Sequence, residues 1–341
     1  MDKHQVNIFA IEIEPHPDPE TTALECAKIG DFRVVVRKGT YKSGDKVAYI
    51  PQDSILPDNL IKELGLDGKL SGKQKNRVKA IKLRGQLSQG LVHGMPDKKI
   101  GDDVADELGV TKYIPAIPAS MNGEVFDATG KTLKYGIENL KRYPDVLHDG
   151  EWVVAREKIH GTWTCLGMYK GEPIVTSKGF SAKGMAFKTD DSNNLYCQQY
   201  EKHKLKFKIL QDRLKTDTFY LLGETYGQGV QDMQYDLKNR QFRAFDIYVG
   251  DPLTGRYLDT NEFVESVEDL FETAPVVYVG PYSKERAYKL ANADKSQLAD
   301  CITEGIVIKP IAERYDQSMG RVILKLKSDA YETRKQGTEY N

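Results

Sequence analysis

Short apolar runs separated by turn-forming residues dominate the first 95 positions of the chain. Gly30-Asp31 and Ser43-Gly44-Asp45 supply backbone conformations that tight turns require. The pattern predicts a short helix at 59–64 and strands at 6–13, 24–29, 32–37, 46–50, 78–83 and 90–93. Several short strands at such close spacing favour a small β-barrel.

The second half of the chain has an α/β pattern. Apolar residues at helical spacing predict an amphipathic helix over 195–214. Its apolar face contains Leu195, His203, Phe207, Leu210 and Leu214, and we expect His203 to lie at the surface or flank of the helix. Two further helices are predicted over 263–271 and 287–298, with Thr260 and Ser283 as N-caps.

Composition narrows the class of protein. The chain has 341 residues, of which 29% are charged and 40% hydrophobic, with a formal net charge of −1. These values are typical of a globular protein large enough for two domains. Because the protein is not a polycation, a nucleic-acid surface would have to arise from local clustering of charge.

The chain offers no signal for a membrane or an oxidising compartment. No apolar run approaches the length of a membrane span, and the N-terminus lacks a signal-peptide core. The four cysteines are scattered, which argues against a zinc site and a disulfide framework. We therefore expect no membrane association and a cytoplasmic location, in a cell or a phage-infected host.

A lysine in the run 157–162 (Glu-Lys-Ile-His-Gly-Thr) is the main candidate for chemistry. A lysine presented at a tight turn can act as a nucleophile when its amine is unprotonated. An exposed lysine after a strand would look the same, so this motif alone is weak. Five further runs follow it in order: 177–179 (Ser-Lys-Gly), 221–224 (Leu-Leu-Gly-Glu), 242–247 (Phe-Arg-Ala-Phe-Asp-Ile), 304–309 (Glu-Gly-Ile-Val-Ile-Lys) and 322–327 (Val-Ile-Leu-Lys-Leu-Lys).

Together these runs resemble the ordered signature motifs of the covalent nucleotidyltransferases, the ATP-dependent ligases and mRNA capping enzymes. His160 stands where most of that superfamily has Asp, which resembles the RNA ligase branch. Segments 32–51 and 82–91 resemble the N-terminal OB-like module of Deinococcus-type RNA ligases.

The resemblance implies an α+β protein, with an OB-like β-barrel domain over 1–112 that binds nucleic acid. An adenylyltransferase (ATP-grasp-like ligase) domain of antiparallel sheets flanked by helices is expected over 120–341. The Pro-containing stretch 113–119 predicts the linker.

The resemblance also implies a function. The implied function is that of an ATP-dependent RNA ligase that seals 3′-OH/5′-phosphate breaks. The expected substrates are nicked duplexes with RNA on the 3′-OH side. Lys158 would take AMP from ATP, pass it to the RNA 5′-phosphate, and the 3′-OH would then displace AMP. We expect the protein to act on RNA as a monomer, with Mg²⁺ or Mn²⁺ as the metal.

Roles for individual residues follow from the same resemblance. The expected catalytic residues are Lys158, Lys325, Lys327 and Glu304. The expected ATP-binding residues are Glu157, Ile159, His160, Lys178, Glu224 and Phe245. Glu224 and Glu304 would hold the metal, because magnesium is usually bound by a few carboxylates plus substrate phosphates. Phe245 would stack on adenine and Glu157 would read its amino group. Lys325, Lys327 and the metal would disfavour the charged form of Lys158.

A basic run without intervening acids lies inside the expected barrel. The residues expected to bind nucleic acid are Lys73, Lys75, Arg77, Lys79, Lys82 and Arg84. On such a barrel they would follow a phosphate backbone and release counterions on binding. A solvated protein face would have the same composition.

Three other functions fit parts of the sequence. A DNA ligase or an mRNA-capping guanylyltransferase would share the motifs, but those enzymes place the OB domain after the catalytic domain. A non-catalytic nucleic-acid-binding protein is the third. Lys158, Glu224, Glu304, Lys325 and Lys327 are all retained, which argues against loss of catalysis.

Overall fold

The computed structural model describes residues 4–334 and 337–338. They divide into two compact units. The N-terminal unit comprises the residues up to Ile114 together with Lys141–Pro144, and the C-terminal unit comprises Pro115–Leu140 and the residues from Asp145 onward. The expected boundaries, 1–112 and 120–341, take no account of the short return segment and stay a prediction.

The N-terminal unit is built mainly from short antiparallel strands. They are β1 (Ile8–Ala10), β2 (Glu12–Pro15), β3 (Leu24–Ile29), β4 (Phe32–Arg37), β5 (Lys46–Ile50), β6 (Ser54–Ile55), β7 (Ile81–Leu83), β8 (Gln86–Ser88), β9 (Leu91–Gly94) and β10 (Thr111–Lys112), with helix α1 (Asp58–Glu63). Two three-stranded sheets, β1-β5-β9 and β2-β3-β4, accompany two-stranded pairs β7-β8 and β6-β10. β3, β4 and β5 have the predicted bounds.

Two predicted strands of this unit were wrong in detail. The single strand over 6–13 is two strands in different sheets, because the chain changes sheets at Ile11, which is 3% exposed. The strand over 78–83 begins only at Ile81. Val78 instead exchanges backbone hydrogen bonds with Asp53 and Ser54. Apolar content alone does not show which partner a short run pairs with.

The C-terminal unit contains two larger sheets. Its strands are β11 (Val125–Asp127), β12 (Glu138–Asn139), β13 (Trp152–Glu157), β14 (Thr162–Tyr169), β15 (Glu172–Ser177), β16 (Met185–Phe187), β17 (Phe219–Gly227), β18 (Arg240–Val249), β19 (Arg256–Tyr257), β20 (Val276–Pro281), β21 (Gly305–Pro310), β22 (Tyr315–Asp316), β23 (Gly320–Arg321) and β24 (Leu324–Lys327). The seven-stranded sheet has the order β11-β16-β15-β14-β17-β18-β19, and the five-stranded sheet β12-β24-β21-β13-β20. Neighbours are antiparallel except β12 and β24.

The helices of this unit are α2 (Lys178–Ser181), α3 (Leu195–Leu214), α4 (Thr260–Val267), α5 (Lys284–Ala291) and α6 (Asp329–Glu332), with a 3-10 turn at Ala119–Met121. The prediction for α3 is confirmed at both ends. Asn194 caps the helix by accepting from two backbone amides, and Lys215 ends it in the left-handed conformation. The expectation that His203 is a surface residue is wrong: its ring is buried between Phe242 and Phe271.

The other two predicted helices needed correction. α4 starts earlier than predicted, because Asp259 rather than Thr260 caps it, in a capping box with Glu262. Ser283 caps α5 as predicted, but this helix ends at Ala291 rather than 298. The Asn292 side chain donates to the Tyr288 carbonyl there, which competes with continuation of the helix.

Buried side chains join the two sheets of the C-terminal unit. One apolar cluster packs α3 and α4 against the seven-stranded sheet. A second contains Tyr220 and Leu222 of β17 together with Val307 of β21, so it lies between the sheets. Strand ends from both sheets therefore meet at one place. Across the described ranges, 4–334 and 337–338, we found no helix whose length and hydropathy suit a membrane span.

Candidate active site

Lys158 lies where β13 ends and the chain turns toward β14. Its backbone amide donates to the carbonyl of Gly305, which begins β21. Gly161 lets the turn approach β17 closely, since a Cβ there would lie 2.3 Å from the Thr225 carbonyl oxygen. The sequence therefore fixes the lysine between two sheets.

Glu304 is the direct partner of Lys158. Lys158 Nζ lies 2.8 Å from Glu304 Oε1, and the Glu304 side chain is only 3% exposed. Burial alone would raise the pKa of Glu304, but Lys158, His160 and Lys327 outweigh burial and hold it well below its ordinary value. Gly305 follows with φ of 136°, which favours glycine and lets its backbone lie close against Leu326.

Lys325 and Lys327 project toward this pair from β24. The predicted alternation is confirmed: Leu324 and Leu326 are buried on one face, and the lysines lie on the other. β24 lies between β12 and β21 rather than at an edge of the sheet. Burial, aided by the charges of Lys327, Lys178 and Lys158, lowers the pKa of Lys325 to about 7.

Glu224 reaches the same place from the other sheet, on β17. Burial raises the pKa of Glu224 to about 7, with Lys158 acting in the opposite direction and Glu304 adding to the rise. The field of Lys178 also acts on Glu224, although the Lys178 side chain is exposed at the start of α2. Two sheets thus bring together five of the residues expected in the site.

Phe245 is positioned by a β-bulge. The register of β17 against β18 shifts after Leu222, so that Asp246 lies opposite Leu222, Ala244 lies opposite Gly223, and Phe245 has no partner residue. A bulge re-aims the side chain of the extra residue. Phe245 remains partly exposed and lies 5.7 Å, centroid to centroid, from the Tyr135 ring.

Glu157 and Ile159 flank the lysine, and neither side chain contacts it. The buried Glu157 carboxylate accepts from the Ser296 hydroxyl and the Gln297 backbone amide. Burial raises the pKa of Glu157, although the Ser296 hydrogen bond opposes the rise. The Ile159 side chain packs in an apolar cluster with Tyr226 and other buried residues, so a ligand would meet its backbone only.

The imidazole ring of His160 has three polar contacts. Its Nε2 lies 2.7 Å from Asp232 Oδ1, its Nδ1 2.9 Å from the Tyr331 hydroxyl, and its Nδ1 3.6 Å from Glu304 Oε2. Burial lowers the pKa of His160, but hydrogen bonding to Asp232 and the proximity of Glu304 outweigh this and raise it. His160 thus joins the lysine–glutamate pair to a second acid.

Asp232, Tyr331 and Arg334 support His160 and were missed from the sequence. Arg334 stacks on the Tyr331 ring at 3.5 Å and donates to Asp232 Oδ2 at 3.1 Å. Thr338 also donates to Asp232, through its backbone amide. Burial opposes the result, but His160, Arg334 and Thr338 hold the pKa of Asp232 well below its ordinary value. No motif marks these residues; only their distance from His160 in the fold does.

Two charged motif residues have structural partners instead. Buried Asp246 pairs with Lys309 at 3.3 Å and with Arg321 at 2.7 Å, and Glu313 completes the cluster by pairing with both cations. Such a closed network satisfies the charges that burial would otherwise leave unpaired. Neither Asp246 nor Lys309 needs a role in catalysis.

The basic run of the N-terminal unit is only partly available to a ligand. Lys73, Lys75, Lys82 and Arg84 are exposed. Arg77 differs from them, because its guanidinium lies 2.6 Å from Asp53 Oδ1 and 3.6 Å from the centre of the Tyr113 ring. Its charge is therefore largely used within the unit.

The carboxylates at the site are few, which bears on the kind of metal they could hold. Within residues 4–334 and 337–338, no group of three or more His, Cys, Asp and Glu side chains could hold a metal ion. Glu304 Oε2 nevertheless has no hydrogen-bond partner among these residues, and the charge of Glu304 helps to raise the pKa of Glu224, so the two carboxylates lie near each other. Two carboxylates, one of them with an oxygen that accepts no hydrogen bond, suit an ion that takes its other ligands from water and phosphate.

Comparison with known families identifies the chain. A family model described as RNA ligase matches residues 151–327, more than half of the sequence. The chain belongs to the RNA ligase family. A second model, described as an OB-fold domain, matches residues 8–95, so the expected α+β architecture with an N-terminal OB-fold is confirmed.

Solved structures share the fold of this RNA ligase. A Naegleria gruberi RNA ligase mutant with AMP and Mn has a TM-score of 0.81 at 22% identity, covering 97% of this chain and 98% of that chain. The Naegleria gruberi RNA ligase with PPi has a TM-score of 0.79 at 23% identity, covering 96% and 98%. No curated protein sequence matched the chain.

Proposed function

We propose that this RNA ligase is ATP-dependent and seals 3′-OH/5′-phosphate breaks through a lysine–AMP intermediate on Lys158. The observation that carries the proposal is the convergence of Lys158, Lys325 and Lys327 with the buried Glu304 and the partly buried Glu224 between the sheets. Such a site places a nucleophile beside cations that can neutralise a polyphosphate.

In the first step, the Lys158 nitrogen forms a bond to the α-phosphorus of ATP. The bond from that phosphorus to the bridging oxygen breaks, pyrophosphate leaves, and the amine loses a proton. Lys325 and Lys327 contact the α-phosphate and stabilise the charge that develops on its oxygens. Lys178 contributes charge from the rim, without the forked geometry of an arginine.

A divalent ion, Mg²⁺ or Mn²⁺, fits the two carboxylates. Glu304 offers a buried oxygen that has no hydrogen-bond partner among the described residues, and Glu224 is the second acid of the pocket. Related structures were obtained with ATP and Mn and with AMP and Mn, which supports the same pairing of nucleotide and metal here. When bound, the ion neutralises phosphate charge and orients the triphosphate.

Recognition of the base is assigned to Phe245 and Glu157. The partly exposed Phe245 ring stacks on adenine. Glu157 reads the adenine amino group, and a carboxylate has about four acceptor sites, so the two bonds it already accepts leave room for a third. An acceptor at this position favours ATP over GTP.

In the second step an oxygen of the RNA 5′-phosphate attacks the AMP phosphorus, and the bond from that phosphorus to the Lys158 nitrogen breaks. In the third step the 3′-OH loses its proton and attacks the 5′-phosphate, and AMP leaves. The protein acts as a monomer on nicked duplexes with RNA on the 3′-OH side. The exposed cations of the N-terminal unit, Lys73, Lys75, Lys82 and Arg84, together with Lys79, hold the phosphate backbone. Arg77 contributes less, because Asp53 neutralises it.

The decisive experiment is labelling with ATP carrying a radioactive α-phosphate. The wild-type protein and Lys289→Ala, a variant at an exposed helix lysine, should acquire acid-labile label with a divalent ion. Lys158→Ala should acquire none, and mass spectrometry should place AMP on Lys158. Label from GTP would indicate a capping enzyme, and absence of any label would indicate a binding protein.

Substrate choice is tested on pre-adenylated nicked duplexes. Sealing should require ribonucleotides on the 3′-OH side, and indifference to the sugar would overturn the RNA-strand assignment. Lys73→Ala/Lys75→Ala should raise KM and weaken its salt dependence, compared with Lys38→Ala/Lys42→Ala in the same unit. Equal KM values for the two double variants would contradict the proposed contact between these lysines and the phosphate backbone.

A further inference from the structure

A second concave surface of the C-terminal unit lies between α3 and the end of the β17–β18 hairpin. This cationic groove has a volume of about 580 Å³ and is lined by Gln198, Gln199, Lys202, Lys238, Arg240 and Gln241, with the 228–229 turn. It belongs to neither the nucleotide pocket nor the N-terminal basic run.

No carboxylate in the described part of the chain pairs with a cation of the groove. Lys202 donates to the Gln241 amide and Arg240 to the Gln198 amide, and both acceptors are neutral. Lys238 makes no hydrogen bond or ion pair within the described part of the chain, and no Asp or Glu lines the groove. A lysine has three donors and an arginine five, so most donors remain available to a ligand.

Other surface lysines of the same unit behave differently. Lys188, Lys204 and Lys208 pair with carboxylates at 2.8, 2.6 and 3.2 Å. Lys204 and Lys208 lie on the same helix as Lys202, so the lack of a carboxylate partner for Lys202 is a property of the groove. Three uncompensated cations at one concave surface favour an anion.

The floor of the groove is also polar. Gln199 is 3% exposed, and its Oε1 has no hydrogen-bond partner among residues 4–334 and 337–338. Buried amide oxygens are normally satisfied. A ligand with both acceptors and hydroxyl donors, such as a ribose-phosphate chain, matches cations above an amide-rich floor.

The position of the groove relates it to the proposed chemistry. β17 carries Glu224 and ends at Gly227, next to the groove and opposite Arg240. Three residues of strand span about 10 Å, which corresponds to about three nucleotides along a duplex strand. The loop beyond the groove is tied to the lysine motif, since Gln231 donates to the Gly161 carbonyl.

We propose that the cationic groove binds backbone phosphates of the substrate RNA about three nucleotides from the break. The inference rests on the proposed ligase function and assigns part of its substrate contact. Lys202 and Arg240, each held by a hydrogen bond to a glutamine amide, and Lys238 supply the positive charge.

The test compares Lys202→Ala/Lys238→Ala with Lys204→Ala/Lys208→Ala, which removes the same charge from the carboxylate-paired positions of α3. The groove variant should self-adenylylate at the wild-type rate but seal a pre-adenylated nick with KM raised at least about tenfold. In a Lys158→Ala background, the plot of log Kd against log salt should lose about 1.8 of its slope, from about 0.9 for each of two lost contacts.

Trimming the duplex provides an independent check. The duplex is shortened so that it ends two nucleotides from the break, first on one side and then on the other. On one of the two sides, shortening should raise the KM of the wild type but leave the KM of the groove variant unchanged.

Equal KM and equal salt slope for the two double variants would overturn the proposal. An equal loss of self-adenylylation and sealing would also overturn it, because it would indicate that Lys202 and Lys238 stabilise the fold. Lys202→Gln/Lys238→Gln replaces the alanine variant if that one melts early. If the wild type acquires no label from any nucleotide in the presence of a divalent ion, the proposed function fails. The salt dependence of RNA binding would still test the groove.

Discussion

Binding of ATP should change the protonation of Lys325. In the free protein the pKa of Lys325 is about 7, because burial and three neighbouring lysines disfavour its charged form. A triphosphate brings negative charge to the same place, which favours the charged form again. The pKa should then return toward the ordinary lysine value of about 10.4, so ATP binding should take up a proton from solution.

The size of the uptake follows from the two values. At pH 7 about half of the Lys325 amines are already protonated, so Lys325 should take up about 0.5 proton per ATP. At pH 8.5 nearly all are neutral beforehand, and the uptake should approach about one proton. Below about pH 5.5 it should vanish, because the amine is charged in both states. Glu224, whose pKa is also about 7, would add proton uptake of its own, which the comparison with a variant of Lys325 subtracts.

Titration calorimetry measures this directly. ATP is added without divalent ions in two buffers of different ionisation enthalpy, at pH 5.5, 7 and 8.5, and the difference in heat gives the protons taken up. Lys325→Met is the control, since it removes the titrating group but leaves the titration of ATP itself. It should stay folded and melt at a higher temperature at pH 7, because a desolvated charge is removed. Equal proton uptake by wild type and Lys325→Met at pH 8.5 would show that Lys325 does not change its protonation when ATP binds, and would refute the reasoning.

Three other predictions concern the same pocket. Glu304→Ala and Lys327→Ala should each slow self-adenylylation at least about a hundredfold, the scale of one preorganised electrostatic contact; near-wild-type rates in a quenched labelling assay would contradict the assignment. Phe245→Ala should weaken ATP binding by about 1–3 kcal/mol if its ring stacks on the base, with Tyr257→Phe as an aromatic control; calorimetric affinities that differ by less than twofold would exclude stacking. Asp232→Asn should lower the free energy of unfolding of the C-terminal unit by about 1.5–3 kcal/mol at pH 7, because a charged hydrogen bond to His160 is lost. Since the folded pKa of Asp232 is lowered, the difference between variant and wild type should shrink in urea titrations as pH falls below about 4.

Local chemistry explains which elements the sequence predicted well. The predicted bounds of α3 came from helical periodicity, and in the structure Asn194 caps its first turn. The bounds of β3 to β5 came from short apolar runs between clear turns. The helix expected over 287–298 ended early because one side chain, Asn292, bonds back to its own helix. His203 was assigned to the surface by its polarity, whereas aromatic rings enclose it in the fold.

The site divides in the same way. The resemblance of the ordered motifs to those of the nucleotidyltransferases implied that Lys158, Glu304 and Lys325 belong to one site, and the fold brings them together. Asp232 and Tyr331 lie 72 and 171 residues from His160, and no local pattern announces such partners. Likewise, the sequence showed a charge at Arg77 but not that Asp53 would neutralise it. Long-range pairing is a property of the folded chain, so reading along the sequence could not find it.

The alternating strand Leu324–Lys327 limits how this gene can change in length. Its two leucines are core residues, and its two lysines face the site with a period of two. Inserting or deleting one codon between 322 and 324 would exchange the faces, burying both ammonium groups and exposing both leucines. Homologues should therefore differ here by substitutions and not by insertions or deletions. The neighbouring hairpin turn at 317–319 lies outside both strands of its pair, so its length can change.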